Sequence, residues 1–191
     1  MKTAFILIDY INEIVHEEGK LAQKGYSQFI EQHNTFKHLS SALTNARREN
    51  MLIIHVKVGF SKSYIEQPKQ SPLFSKAQEF EALQLDTFAT EFHKAIDVKE
   101  NDIIITKHRV NAFYQTPFDL ILKNNNIQHL IIGGVATDLA VSNTVRDAHD
   151  RDYHVTILSD CCAAANEEDH NTSLQLLQKI AIVQTNEEFF K

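Results

Sequence analysis

The sequence predicts an α/β fold, a three-layer Rossmann-like sandwich with a six-stranded, mostly parallel sheet in the order 3-2-1-4-5-6 and helices on both faces. Three observations point to it. Short apolar runs rich in β-branched residues recur along the chain, as strands covered on both faces require. Segments with helical spacing separate them, which is the alternation that a parallel sheet needs. Polar residues suited to chemistry follow directly on several of the runs, where open α/β sheets place their ligand crevice.

Taken in order, residues 4–8 form a buried strand that ends at Asp9. A polar helix is expected over 27–50, with Phe29, Ile30, Phe36, Leu39 and Leu43 near helical spacing. Residues 51–58 are a second strand. The stretch 59–94 has no strong periodicity and carries Pro68 and Pro72, so it reads as a long excursion with one helical turn near 75–83. Loops of that length inside compact domains serve as lids or partner surfaces. Residues 102–106 are a third strand with Lys107 at its end, and Thr116-Pro117 opens a helix running to 125. Next come a strand over 129–132, a Gly133-Gly134 turn and a helix over 137–151 that Thr137 or Asp138 can cap. A strand over 154–158, a helix over 167–178 and a short strand over 180–183 complete the series.

The 191 residues are expected to form a single domain, 1–191. Glycine and proline are scarce, and no repeat or low-complexity segment appears. A net charge of −6 supplies no basic footprint, which argues against nucleic acid as a partner. No apolar run approaches the roughly 20 residues that span a bilayer, so no membrane partner is expected. The first apolar run meets Asp9 too early for a signal peptide. Cys161 and Cys162, the only cysteines, do not make a secreted disulfide framework. A cytoplasmic protein is the expectation.

Asp9, Lys107 and the segment 134–140 all fall at the carboxyl ends of predicted strands, although they lie far apart in sequence. A ligand over the strand-to-helix corner at 134–140 would meet backbone N–H groups and the positive end of a helix dipole. The glycines there do not make a dinucleotide fingerprint, because Gly133-Gly134-Val135-Ala136-Thr137-Asp138 lacks G-x-G-x-x-G.

The run from Gly134 through Val135, Ala136 and Thr137 closely resembles the signature of the isochorismatase-like cysteine hydrolases, as do Asp9 and Lys107-His108-Arg109-Val110-Asn111-Ala112-Phe113. The resemblance implies that Asp9 and Lys107 are the catalytic acid/base and its lysine partner. It implies a cis Val135–Ala136 peptide and an oxyanion hole made by the N–H groups of Ala136 and Ala140. It also places Asn12, Asn111, Phe113 and Thr137 around a substrate pocket. Position 140 is where such proteins carry the cysteine nucleophile, and this chain has Ala140. Loss of a nucleophile costs up to about 10⁶-fold in rate. Cys161 and Cys162 are expected to be buried structural residues rather than substitutes.

Nicotinamidases within the family carry a metal site built on an Asp-x-His…His pattern after the second strand. Here His55-Val56-Lys57-Val58-Gly59-Phe60 offers one histidine and no carboxylate. No metal and no cofactor are expected. Family members form dimers or larger homo-oligomers, and 59–94 is the candidate interface.

Three functions fit these residues. The first is a hydrolase of a small molecule, cleaving a vinyl ether or C–N bond with Asp9 as general acid/base, water as nucleophile, and Lys107 and the backbone oxyanion hole in support. The second is a cysteine amidohydrolase carried as a Cys-to-Ala variant at 140. The third is a catalytically inactive homologue that binds a small ligand.

Overall fold

The computed structural model describes residues 1–191. Six strands, β1 (Thr3–Ile8), β2 (Leu52–Val58), β3 (Ile103–Lys107), β4 (His129–Val135), β5 (His154–Ala163) and β6 (Ile182–Gln184), form one sheet in the order β3-β2-β1-β4-β5-β6. Every neighbouring pair is parallel. The predicted sheet and strand order are therefore those of the molecule.

Period-two alternation divides the core. Phe5 and Leu7 of β1 and Ile131 of β4 join the apolar cluster on one face, while Ala4, Ile6, Ile8, Leu130 and Ile132 join the cluster on the other. The first face is covered by α1 (Asn12–Val15), α2 (Tyr26–Gln32), α3 (Thr35–Arg48) and the C-terminal α7 (Asn186–Phe189). The second is covered by α4 (Phe118–Asn124), α5 (Ser142–Asp150) and α6 (Glu167–Leu177). β1 is enclosed from both sides: Ala4, Phe5, Ile6 and Ile8 are fully buried. The Phe5, Ile6 and Ile8 side chains contribute about 1.5–3 kcal/mol each on burial, which fixes β1 and the residue that follows it.

Several local expectations are corrected. The helix expected over 27–50 is two helices, because Asn34 adopts a left-handed φ of 52° and starts a new segment. Asparagine tolerates that conformation through local hydrogen bonding. Gly133 and Gly134 lie inside β4 rather than in a turn. Their lack of a side chain serves close approach. A Cβ on Gly133 would sit 2.9 Å from the Cys161 carbonyl oxygen, and one on Gly134 would sit 2.8 Å from the Ile8 Cβ. β5 runs on to Ala163 through a register shift opposite Gly133, and the Tyr10 hydroxyl donates to the Cys161 carbonyl there. The helix expected over 137–151 is a π-helical turn, Thr137–Val141, followed by α5. Neither Thr137 nor Asp138 caps it; Ala136 holds the N-cap position, without a side-chain bond. No helix is long and apolar enough to cross a membrane.

Candidate active site

Three strand ends converge on one cavity. Asp9 leaves β1 with φ 59°, its N–H donating to the Val56 carbonyl at 2.8 Å. That left-handed step is uncommon outside glycine and is tolerated best by Asp and Asn. It leaves the side chain buried above the sheet edge, with Oδ1 accepting the Val58 N–H at 2.7 Å. Lys107, the last residue of β3, lies opposite Val58 in the parallel register. Its Nζ donates to Asp9 Oδ2 at 2.7 Å and to the Arg109 carbonyl at 3.1 Å. Both side chains are almost wholly withdrawn from solvent, at 4% exposure for Asp9 and 1% for Lys107. Burial raises the Asp9 carboxyl above its ordinary value, against the pull of the Lys107 ammonium and the Val58 N–H.

β4 delivers the third component. The Val135–Ala136 peptide bond is cis. The Ala136 carbonyl accepts from both Leu139 and Val141 at the start of the π-helical turn, and the Ala136 N–H has no partner. Val135, Ala136 and Ala140 line the same cavity as Asp9 and Lys107. Its volume is about 620 Å³, within the range of small-molecule sites. The far wall comes from the long excursion, with Phe74, Ala77, Phe80, Ala82 and Leu83 facing the sheet edge. Part of the stretch expected to be a lid or an interface thus covers the cavity. It is braced internally by the Tyr64 hydroxyl on the Ala82 carbonyl at 3.0 Å and the Gln67 amide on the Phe74 carbonyl at 2.7 Å, and tied to α1 by the Leu83 N–H on Glu13 Oε1 at 3.3 Å.

Four residues expected around the pocket lie elsewhere. Asn12 donates to the Phe88 carbonyl at 3.0 Å. Asn111 spans Asp147 Oδ2 and the Phe113 N–H. Phe113 packs on Phe118, Tyr153 and the Arg151 guanidinium. The Thr137 hydroxyl pairs with His170 Nδ1 at 2.9 Å. None of the four lines the cavity. Each is a polar or aromatic side chain whose own neighbours satisfy it within the fold, which motif position alone cannot reveal. Conversely, Lys20, Lys24 and Tyr26 line the cavity and carry no local signal that would have singled them out, while Val110 and Leu139 line it from within the motif runs.

The two cysteines are buried in β5. Burial pushes the Cys162 thiol up to about 12 and the Cys161 thiol well above its ordinary value, so neither is a thiolate near neutral pH. Neither lines the cavity. His55 is buried on β2, where its Nε2 lies 3.0 Å from Asp102 Oδ2. No group of three or more His, Cys, Asp or Glu side chains is arranged to hold a metal ion.

The model of the isochorismatase domain matches residues 3–188. The chain belongs to the isochorismatase family. Solved structures of similar fold include an isochorismatase-like hydrolase from Alkaliphilus metalliredigens. It is 24% identical at a TM-score of 0.80, and the match covers 100% of this chain and 98% of that one. A cysteine hydrolase from Pseudomonas syringae pv. phaseolicola is 21% identical at a TM-score of 0.87, covering 99% of this chain and 91% of that one. An N-carbamoylsarcosine amidase from Thermoplasma acidophilum is 21% identical at a TM-score of 0.76, with 97% of each chain covered. The six-stranded parallel sheet and its strand order are thus those of an isochorismatase-family fold.

Proposed function

We propose that this chain is a hydrolase of a small molecule in which Asp9 moves the proton and water is the nucleophile. The observation that carries the reading is the buried Asp9–Lys107 pair on the floor of a cavity that also takes in Ala136 and Ala140. Ala140 has no atom that can attack a substrate, so the covalent route of a cysteine hydrolase is closed to the chain as it stands. A water over Asp9 can attack a carbonyl carbon while the carboxylate takes its proton. The displaced electron pair moves onto the carbonyl oxygen, where the unpaired Ala136 N–H and the Ala140 N–H are the candidate donors. Collapse breaks the bond to the leaving nitrogen or oxygen, and Asp9 returns the proton to that atom. Lys107 keeps the carboxylate oriented and opposes the rise in its proton affinity caused by burial. For a vinyl ether the order is reversed: protonated Asp9 delivers a proton to the alkene carbon, and water adds to the resulting cation and gives its proton back to Asp9. The hemiketal then collapses, breaking the C–O bond to release an alcohol and a carbonyl compound.

Ala140 itself favours a second reading, an inactive homologue that retains the cavity for binding. Assaying the unchanged chain and Ala140→Cys against one panel of small amides and vinyl ethers separates the two. Turnover by the unchanged chain, abolished in Asp9→Asn, is the expected result. Turnover that appears only in Ala140→Cys would instead identify a cysteine amidohydrolase lacking its nucleophile. Binding without turnover in either form would identify the inactive homologue.

A further inference from the structure

The cavity described above has a lining at odds with the chain as a whole. The protein is acidic, with a net charge of −6, yet Asp9 is the only carboxylate in the wall, beside four lysines. Lys107 is neutralised by Asp9 on the floor. The other three, Lys20, Lys24 and Lys76, are exposed at the opening. Lys76 is paired with Glu79. Lys20 has no acidic partner; its Nζ donates to the Phe80 and Glu81 carbonyls at 2.7 and 3.0 Å, tying the loop after α1 to the far wall. The Lys24 ammonium has no partner in the chain. Between this basic rim and the floor the wall is apolar, since 15 of the 21 lining residues are hydrophobic. Leu73 and Phe80 continue that surface out to the rim, where they are 48% and 60% exposed.

We propose that the cavity takes an anionic amphiphile, with an apolar body filling the chamber, the reacting bond against Asp9, and a negatively charged end held at the rim by Lys24. This deepens the hydrolase reading of the same site by naming its ligand class. A chamber of about 620 Å³ lined in this way has few polar partners for a small hydrophilic amide, so such a ligand would lose its water without replacement. An apolar body loses nothing and gains up to about fourfold in affinity for each methylene buried. An unpaired, exposed ammonium at the mouth of an apolar chamber draws anions toward the opening and suits an acid at the outer end.

Calorimetric titration with acetate, octanoate and octanamide tests the proposal, because binding is read independently of turnover. Octanoate is expected to bind at least tenfold more tightly than acetate and about fivefold more tightly than octanamide. Lys24→Met, a change at an exposed side chain, is expected to weaken octanoate by about fivefold and to leave octanamide unchanged. Raising the salt concentration should weaken octanoate and spare octanamide. Failure of octanoate to bind, equal binding of acid and amide, or octanoate binding indifferent to Lys24→Met would each overturn the proposal. The last result would place the acid on the floor beside Lys107. Octanoate binding as predicted by a chain that turns over nothing would sink the hydrolase reading and leave the ligand class standing. Turnover of small neutral amides without octanoate binding would do the reverse.

Discussion

The two ends of β3 carry buried carboxylate sites of similar composition and opposite character. At the carboxyl end, Asp9 accepts one ammonium, Lys107, and one N–H, that of Val58, and faces a cavity. At the amino end, Asp102 accepts both terminal nitrogens of Arg47, at 2.8 and 2.7 Å, with the Lys99 N–H at 2.9 Å and His55 Nε2 at 3.0 Å. Burial pushes both carboxyls up. At Asp102 the Arg47 fork, the Lys99 N–H and His55 outweigh it and hold the group at about 2, whereas at Asp9 burial wins. His55, itself lowered by burial, is the neutral donor of that set. A carboxylate held by four donors, with its pKa depressed, is a structural clasp. A carboxylate with fewer partners, raised in pKa and open to a chamber, is equipped to exchange a proton.

Substitutions at the two ends sharpen or break that contrast. Lys107→Met should have the largest effect. It leaves the Asp9 charge buried without its counter-ion, which costs about 3–5 kcal/mol, and turnover per folded molecule should fall by at least about 10²-fold. Denaturant unfolding and a steady-state assay check the two parts. Asp102→Ala should destabilise by about 3 kcal/mol, since Arg47 is left without its carboxylate, while turnover per folded molecule stays within about twofold of the parent. A large loss of turnover there would erase the distinction between the ends.

The pH dependence of unfolding provides a finer separation. The folded-state pKa of Asp102 is depressed from 3.8 to about 2, so its stabilisation is present above the unfolded value and is lost as pH falls through the folded one. The parent should therefore lose stability between about pH 4 and pH 2 by this route, and Asp102→Asn should show a shallower loss over the same interval. The smallest effect is expected at the cysteines. Cys162→Ala should leave turnover unchanged, and native protein at pH 8 should resist iodoacetamide at both thiols, as checked by mass spectrometry.

The same contrast explains what was legible in the sequence. Strand identity was, because alternating burial on two faces writes apolar runs such as 4–8 and 129–132 directly into the chain. The strand order is not written in those runs and was expected from the common doubly wound arrangement. Asp9 and Lys107 were legible as residues directly following or ending such runs, and the Ala136–Ala140 corner through its motif. The break at Asn34 was not, since both halves keep helical spacing and only the backbone angle at one residue separates them. Gly133 and Gly134 suggested a turn because close approach between β4, β5 and Tyr10 is a tertiary fact. Most of the cavity wall was hidden for the same reason. Phe74 through Leu83 carry no strong periodicity and form consecutive turns rather than the helical turn expected near 75–83. The charge contrast between the rim lysines and an acidic chain exists only once the excursion is laid over the sheet edge. Asn12, Asn111, Phe113 and Thr137 mark the reverse case, in which motif position suggested a pocket and local hydrogen bonding or packing took the side chains elsewhere.

The most direct test is turnover by Asp9→Asn under conditions in which the variant is shown to be folded, on whichever panel substrate the parent consumes. The account predicts a loss of about 10²–10⁴-fold with binding retained. Turnover within about threefold of the parent would contradict it and remove proton transfer from the floor of the cavity.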